Sequence, residues 1–330
     1  MIQTKITEMF DIDYPIICGA MMWICKPTLC AAISNAGGMG NITAAIYKTE
    51  DEFRAALKET RTLTDKPFTV NITLLPSINI GPEHHKMYLR VCAEERVPAL
   101  EISGAPIDKA CGMEYIDMLK KAGVRLFHKV GSVRHALHAE KAGYDGIYAA
   151  GIEEGGHPLS DDVTTMLLTP RIVESVSIPV VTTGGIANGK TMAAALMLGA
   201  DAVMMASRFM ATQECEIHPK IKEELVKRQE RDTTLICKSV NLQGRALINQ
   251  TTQSVLDVER EGGGLEKIIP LITGDKCLRA WDTGDVNIAP MMVGQSIGLI
   301  HEVLSCKELI ATMAAEAEAQ IGRVTEKIRA

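Results

Sequence analysis

His157 stands in the run Glu153-Glu154-Gly155-Gly156-His157-Pro158. Two glycines there free the backbone to present an imidazole, a group that gains or loses a proton near neutral pH. A histidine that only packs a loop would read the same way, so position decides between the two. Lys129 closes the apolar run 125–130, where an ammonium is costly unless it meets an anion or a polar group. Side chains alternate along a strand, so His128 must point away from whatever Lys129 faces. A third set works through its backbone. Thr182-Thr183-Gly184-Gly185, followed by Ala187-Asn188-Gly189, and the later pair Ala206-Ser207 would let main-chain N–H groups approach phosphate oxygens. The next helix would add its positive N-terminal end. Paired glycines also make ordinary tight turns, but two such loops on neighbouring strands favour a phosphate cradle.

Other polar groups carry less. His135 and His138 lie three apart on an expected helix but have no third ligand nearby, and His84-His85 falls in an expected loop. Nine cysteines show no C-x2-C pair, so neither an iron–sulfur centre nor a secreted disulfide framework is expected, and no metal site is assigned. The methionines from Met192 to Met210 read as core.

These groups can act together only if the fold brings loop after loop to one place. The chain alternates short apolar runs with helical stretches that close on small residues. The runs are 15–18, 39–43, 68–73, 99–103, 125–130, 146–150, 180–183 and 202–206. Continuous apolar character suits parallel strands covered on both faces. Helical patterns at 28–36, 49–63, 113–122, 133–142 and 190–198 lie between them, several ending at a glycine suited to a left-handed cap. Eight strand-then-helix units match a (β/α)8 TIM barrel, with a doubly wound open sheet as rival. His157, Lys129, the Thr182–Gly185 loop and Ala206-Ser207 all fall at or just beyond a strand's C-terminal end, where a barrel gathers its chemistry. The rhythm breaks after Ser207. Helices are expected at 219–231 and 247–259, so residues 218–281 read as a helical subdomain inserted near the active site. Residues 1–217 and 282–330 then form the barrel, and a long amphipathic segment runs from Met291 onward.

The chain has 330 residues, 35 Lys+Arg against 41 Asp+Glu and a net charge of −6, which argues against a nucleic-acid footprint or a polybasic membrane patch. No apolar stretch is long enough to span a bilayer, and the first ten residues lack a signal-peptide core. A cytoplasmic enzyme, monomer or homodimer, acting on a small molecule is expected.

The motifs also carry a resemblance. Gly19-Ala20-Met21-Met22-Trp23, Ser34-Asn35-Ala36-Gly37-Gly38-Met39-Gly40, Lys66-Pro67-Phe68-Thr69-Val70-Asn71 and Glu153-Glu154-Gly155-Gly156-His157 recur in one family. With Thr183-Gly184-Gly185-Ile186-Ala187-Asn188-Gly189 and Ser207-Arg208-Phe209, they resemble the nitronate monooxygenase (2-nitropropane dioxygenase-like) flavoproteins over nearly the whole chain. The resemblance implies FMN bound non-covalently in a TIM barrel. Ala20, Met21 and Met22 would lie along the flavin, with Asn71, Thr73 and Lys129 near its polar edge. Gly155 and Gly156 would approach it from the histidine loop. Thr183, Gly184, Gly185, Ala206 and Ser207 would hold the phosphate. His157 would be the acid/base or substrate-orienting group, and Trp23 with Met22 would wall the substrate side.

Nitronate monooxygenases, NADH:quinone reductases and FMN-dependent enoyl-thioester reductases share this scaffold. Asn71-Ile72-Thr73-Leu74-Leu75-Pro76, His128-Lys129, Ser132-Val133-Arg134-His135-Ala136 and Trp281-Asp282-Thr283-Gly284-Asp285 look most like the quinone-reductase branch. The expectation is therefore NAD(P)H-dependent reduction of a quinone-like acceptor. Nitronate oxidation with O2 is the alternative, and enoyl-thioester reduction a further one. No G-x-G-x-x-G lies at a strand end, so NADH or NADPH would have to dock over the flavin by other contacts. A flavin-free barrel binding a phosphorylated ligand, as lyase, isomerase or binding protein, is the reading from a different class. Three positions depart from the family pattern. Ala20 and Ala206 stand where glycine is usual, and Glu154 where a small residue or cysteine is usual.

Overall fold

The computed structural model describes residues 2–75, 80–159 and 161–329. Pro76, which ends one quoted motif, lies outside the described residues. Eight strands alternate with helices: β1 (Ile16–Cys18), β2 (Gly40–Thr43), β3 (Phe68–Leu74), β4 (Ala99–Gly104), β5 (Arg125–Val130), β6 (Gly146–Ala150), β7 (Val180–Thr183) and β8 (Ala202–Met205). All pair in parallel in the order β1-β8-β7-β6-β5-β4-β3-β2. The remaining seam, between β1 and β2, is bridged at Ile17 and Met39. There Met39 N donates to Ile16 O and Cys18 N donates to Met39 O, both at 2.9 Å. This monotonic order is that of a (β/α)8 barrel; a doubly wound sheet would reverse direction in mid-sheet.

Strand alternation divides the interior into two chemistries. Ala99, Phe127, Tyr148, Val181, Ala202 and Met204 pack with Ile17 and Met39 into one buried apolar cluster, stoppered by Ile6 and Phe10 of the N-terminal helix Lys5–Phe10. One step further along the same faces the residues become polar: Glu101 follows Ala99 and Lys129 follows Phe127. The intervening Leu100, Ile102, Leu126 and Val130 pack outward against the helices. A dry plug thus supports a polar upper layer.

After β8 the chain departs from expectation. The inserted segment is not purely helical. It carries an antiparallel pair, β9 (Thr233–Ile236) with β10 (Gly244–Leu247), besides the helices Pro219–Leu225, Gln250–Arg260 and Gly274–Thr283. The helix expected to 231 stops at Leu225, and the β-branched run Thr233-Thr234-Leu235-Ile236 forms a strand instead. The second helix cannot begin at 247. Leu247 ends β10, and Asn249 caps the helix by accepting from Thr252 N at 2.8 Å. The C-terminal helix begins at Cys306, so residues 291–305 run as loop and a 3-10 turn, Gln295–Leu299. His84 and His85 lie on the helix Pro82–Glu94, not in a loop, because Pro82 presets its first turn.

The C-terminal helix Cys306–Arg329 packs on the helix Gly189–Met197. Gly189 N donates to Glu316 Oε2 at 2.8 Å. A carboxylate therefore already occupies that helix's positive end. Glu316→Ala should lower stability by about 1 kcal/mol, the scale of one helix-terminus interaction. Urea denaturation checks this, and an unchanged midpoint would refute it. Among the described residues no helix is long and apolar enough to cross a membrane.

Candidate active site

A cleft with about 480 Å³ of empty space opens at the C-terminal ends of the strands. Gly19 and Ala20 border it after β1, Glu101 and Lys129 rise from β4 and β5, and Glu154 and Gly155 enter from the loop after β6. Thr183, Gly184, Gly185 and Ile186 line it after β7, and Met204 to Ser207 at the end of β8. Gly294 and Ser296, from the chain returning after the insertion, complete the wall.

Charge is concentrated at one end. Lys129 Nζ donates to Glu154 Oε1 at 3.1 Å, with both side chains largely buried. Glu101 accepts from Asn41 Nδ2 at 2.6 Å. Burial holds the Glu101 carboxyl up at about 7, against the opposing pull of Lys129 and Asn41. Burial raises Glu154 as well, with Lys129 opposing it. Burial alone would lower Lys129, but Glu154 and Glu101 together outweigh it and hold the ammonium charged. His128 points outward, as alternation requires. Its Nδ1 lies 3.0 Å from Ile102 O, and burial pushes it down to about 4.

The opposite end is built from backbone. Gly184 and Gly185 take φ of 97° and 74°, a region L side chains rarely adopt. A Cβ on Gly184 would come within 3.0 Å of Gly151 O. The expected help from the following helix is absent. Its first turn is closed by Asn188, which accepts from Thr191 N at 3.0 Å, and by Glu316. Any phosphate would rest on the Gly184–Gly185 loop and Ala206-Ser207. Ser207 Oγ accepts from Gly294 N at 3.0 Å, tying that loop to the returning chain.

His157 and Gly156 are not among the residues that line the cleft; His157 is exposed to solvent, two residues beyond the lining Gly155, on a loop clamped from the insertion. Gly156 N donates to Arg245 O at 3.1 Å and Arg245 N to Gly156 O at 2.6 Å. Arg245 Nε donates to Ile152 O at 3.1 Å, and Gln243 Nε2 to Pro158 O and Leu159 O, both at 3.0 Å. Desolvation by surrounding protein and the charge of Lys129 both lower the pKa of His157. Glu153 and Glu154, adjacent in sequence, have separate tasks. Glu153 accepts from Thr165 N and Oγ1, which fixes the loop's start.

Of the candidates, Ala20, Lys129, Gly155, Thr183, Gly184, Gly185, Ala206 and Ser207 line this one cleft. Met21 instead packs into the core with Ile24 and Cys25, and Met22 is exposed. Asn71 is buried behind Glu101, donating to its carbonyl oxygen at 3.3 Å, and Thr73 donates to Asn71 Oδ1 at 3.2 Å. Trp23 borders a separate surface groove with Tyr47 and Lys48, held at φ 68°. His138 Nε2 lies 3.0 Å from Asp108, and the described residues contain no group able to hold a metal ion. Glu101, Arg245, Gly294 and Ser296 were not singled out from sequence. Glu101 could have been, since it is a charge inside an apolar strand, the same signal that marked Lys129.

Comparison with known proteins adds identity to this geometry. The profile of the family described as nitronate monooxygenase matches residues 3–316. A hydroxy-methyl-oxo-octahydro-indene-carboxyl-CoA dehydrogenase of Rhodococcus jostii is 31% identical, with 96% of each chain covered. A probable nitronate monooxygenase of Staphylococcus aureus is 30% identical over 71% of this chain and 75% of its own. The solved structure of FabK from Thermotoga maritima superposes with a TM-score of 0.90 at 36% identity, covering 99% of this chain and 100% of that one. With the profile spanning the barrel, the insertion and the start of the last helix, this chain belongs to the nitronate monooxygenase family of flavin oxidoreductases.

Proposed function

We propose that the chain is an FMN-dependent oxidoreductase of acyl thioesters, moving a hydride to or from a carbon next to the one that exchanges a proton. The carrying observation is the Lys129–Glu154 pair at 3.1 Å, facing the same cleft as the Gly184–Gly185 loop. Acid/base groups beside a phosphate cradle suit coupled hydride and proton transfer. Two relatives that match over nearly their whole length support the substrate class. Both are named carboxyl-CoA dehydrogenases, one from Rhodococcus jostii and one, 26% identical over 96% of each chain, from Mycobacterium tuberculosis.

The residues present fit FMN. Gly184 and Gly185 leave open a backbone cradle that side chains would fill, and Lys129 offers a cation for an electron-rich ring edge. When bound, FMN supplies the two-electron carrier. Gly184, Gly185, Ala206 and Ser207 would anchor its phosphate. Glu154 keeps Lys129 charged and oriented by accepting its proton in a hydrogen bond. His157 would accept a proton from the substrate carbon in one direction and, as the imidazolium so formed, return it in the other. The insertion holds that imidazole in place through Arg245 and Gln243.

The test is anaerobic. Protein loaded with FMN is mixed with NADH, then NADPH, and the reduced form is challenged with enoyl-CoA thioesters of increasing acyl size. Bleaching by a nucleotide and reoxidation by a thioester is the expected result. Reoxidation by a quinone alone would return the assignment to the quinone reductase expected from sequence. Turnover of alkyl nitronates with O2 alone would make it a nitronate monooxygenase. A protein that takes up no FMN would end the flavin reading.

A further inference from the structure

Glu101 is the titratable group in the cleft that the reading above does not use. It is 2% exposed on β4. Asn41 Nδ2 donates to its Oε2 at 2.6 Å, and Ser103 Oγ lies 3.4 Å from its Oε1. Lys129 faces it from β5, and Glu154 from the loop after β6, accepting from Lys129 Nζ at 3.1 Å. The other elements add little charge. β2 presents Asn41 and β3 presents Asn71, Tyr148 on β6 stays a neutral phenol, and burial and the charge of Lys129 lower the pKa of His157. Glu153 is occupied by Thr165.

Two carboxylates around one ammonium would leave the floor with one net negative charge if both ionised. That charge would oppose the anionic phosphate and any electron-rich ring edge entering the cleft. Buried carboxylates that share a site do not both ionise cheaply, and their protons belong to the pair. We propose that Glu101 and Glu154 hold one proton between them beside Lys129, forming a buried carboxyl pair that keeps the cleft floor electrically neutral at neutral pH. The floor then carries one ammonium, one carboxylate and one neutral carboxyl, and no electrons move within it. Asn41 Oδ1, buried without a hydrogen-bond partner among the described residues, marks the same spot as short of a donor. The proposal rests on the flavin reading for what the neutral floor is for, but the proton itself does not.

Infrared spectroscopy of the flavin-free protein tests the proton directly. The carbonyl stretch of a protonated carboxyl should persist to neutral pH, where exposed carboxylates are ionised, and should vanish as pH rises beyond it. It should be missing in Glu101→Gln and shifted in its titration in Glu154→Gln. Absence of the band in wild type, or a band indifferent to both substitutions, would overturn the proposal. If Glu101→Gln does not fold, Glu154→Gln decides: an unmoved titration means that no proton is shared. A second readout is FMN affinity. In wild type it should fall up to about tenfold as pH rises through the pair's titration, relative to Glu101→Gln, since one added negative charge opposes the ligand. Equal pH profiles would count against it. A protein that shows the band but never binds FMN would sink the flavin reading and spare this one. FMN binding without the band would do the reverse.

Discussion

Lys129→Met should slow reduction of the bound flavin by roughly 100- to 1,000-fold, the scale lost when one preorganised charge is removed from a catalytic site. Methionine keeps most of the stem and deletes the ammonium, so the effect reads charge rather than space. Stability should change in a pH-dependent way. Without Lys129, Glu154 loses the ammonium that donates to it at 3.1 Å and offsets its burial, and Glu101 loses its opposing cation. Both carboxyls, already raised by burial, would rise further. A carboxyl whose folded pKa lies above its unfolded value stabilises the fold below the unfolded value, and that contribution is lost as pH rises through the folded one. The variant should therefore cost about 3–5 kcal/mol near pH 8 and clearly less near pH 5. Urea titrations at both pH values check this, and an equal cost at the two would mean that Lys129 contributes only packing.

Gly155→Ala should strip the protein of most of its FMN. A Cβ at this position would lie 2.5 Å from Val293 C and 2.6 Å from Gly294 N. Both neighbours are backbone, so no side-chain rotation relieves the contact. The strand of chain that must shift is the one anchored to Ser207 by the Gly294 N–H, beside the phosphate loop. Overpacking of this kind costs about 1–3 kcal/mol. Gly156→Ala is the control. A Cβ there meets nothing within 4 Å, although φ is 83°, so it adds backbone strain without a collision. Flavin absorbance per protein after purification, with thermal shift on added FMN, separates the two. Equal retention in both variants would show that closure of residues 293–294 on Gly155 does not hold the cleft together.

The barrel was readable because its signals are local. Short apolar runs such as 146–150 and 180–183, with a cap such as Gly143 at φ 94°, need only neighbouring residues to declare strand and turn. Alternation put Lys129 and His128 on opposite faces, but only the cost of an unpaired ammonium favoured the lysine as the inward one. The insertion was harder. β9 and β10 have four residues each and gain stability by pairing with one another, so composition around them reads as helix. Side-chain direction along a loop is another matter. The family motif marks Ala20 and Met21 alike, but Ala20 lines the cleft while the Met21 side chain packs into the core.

By itself, then, the sequence determined the βα rhythm, the placing of chemistry at strand ends, the glycine loops and the likeness to one flavoprotein family. Tertiary structure decided which of those groups share a cleft. It set Glu101 beside Lys129 across two strands, brought Gly294 to Ser207 from 87 positions away, and set the Glu316 carboxylate on the helix end at Gly189. The physical reason is range. Propensity and periodicity act over a few residues, whereas burial, charge pairing and hydrogen-bond partners are settled only when the barrel closes.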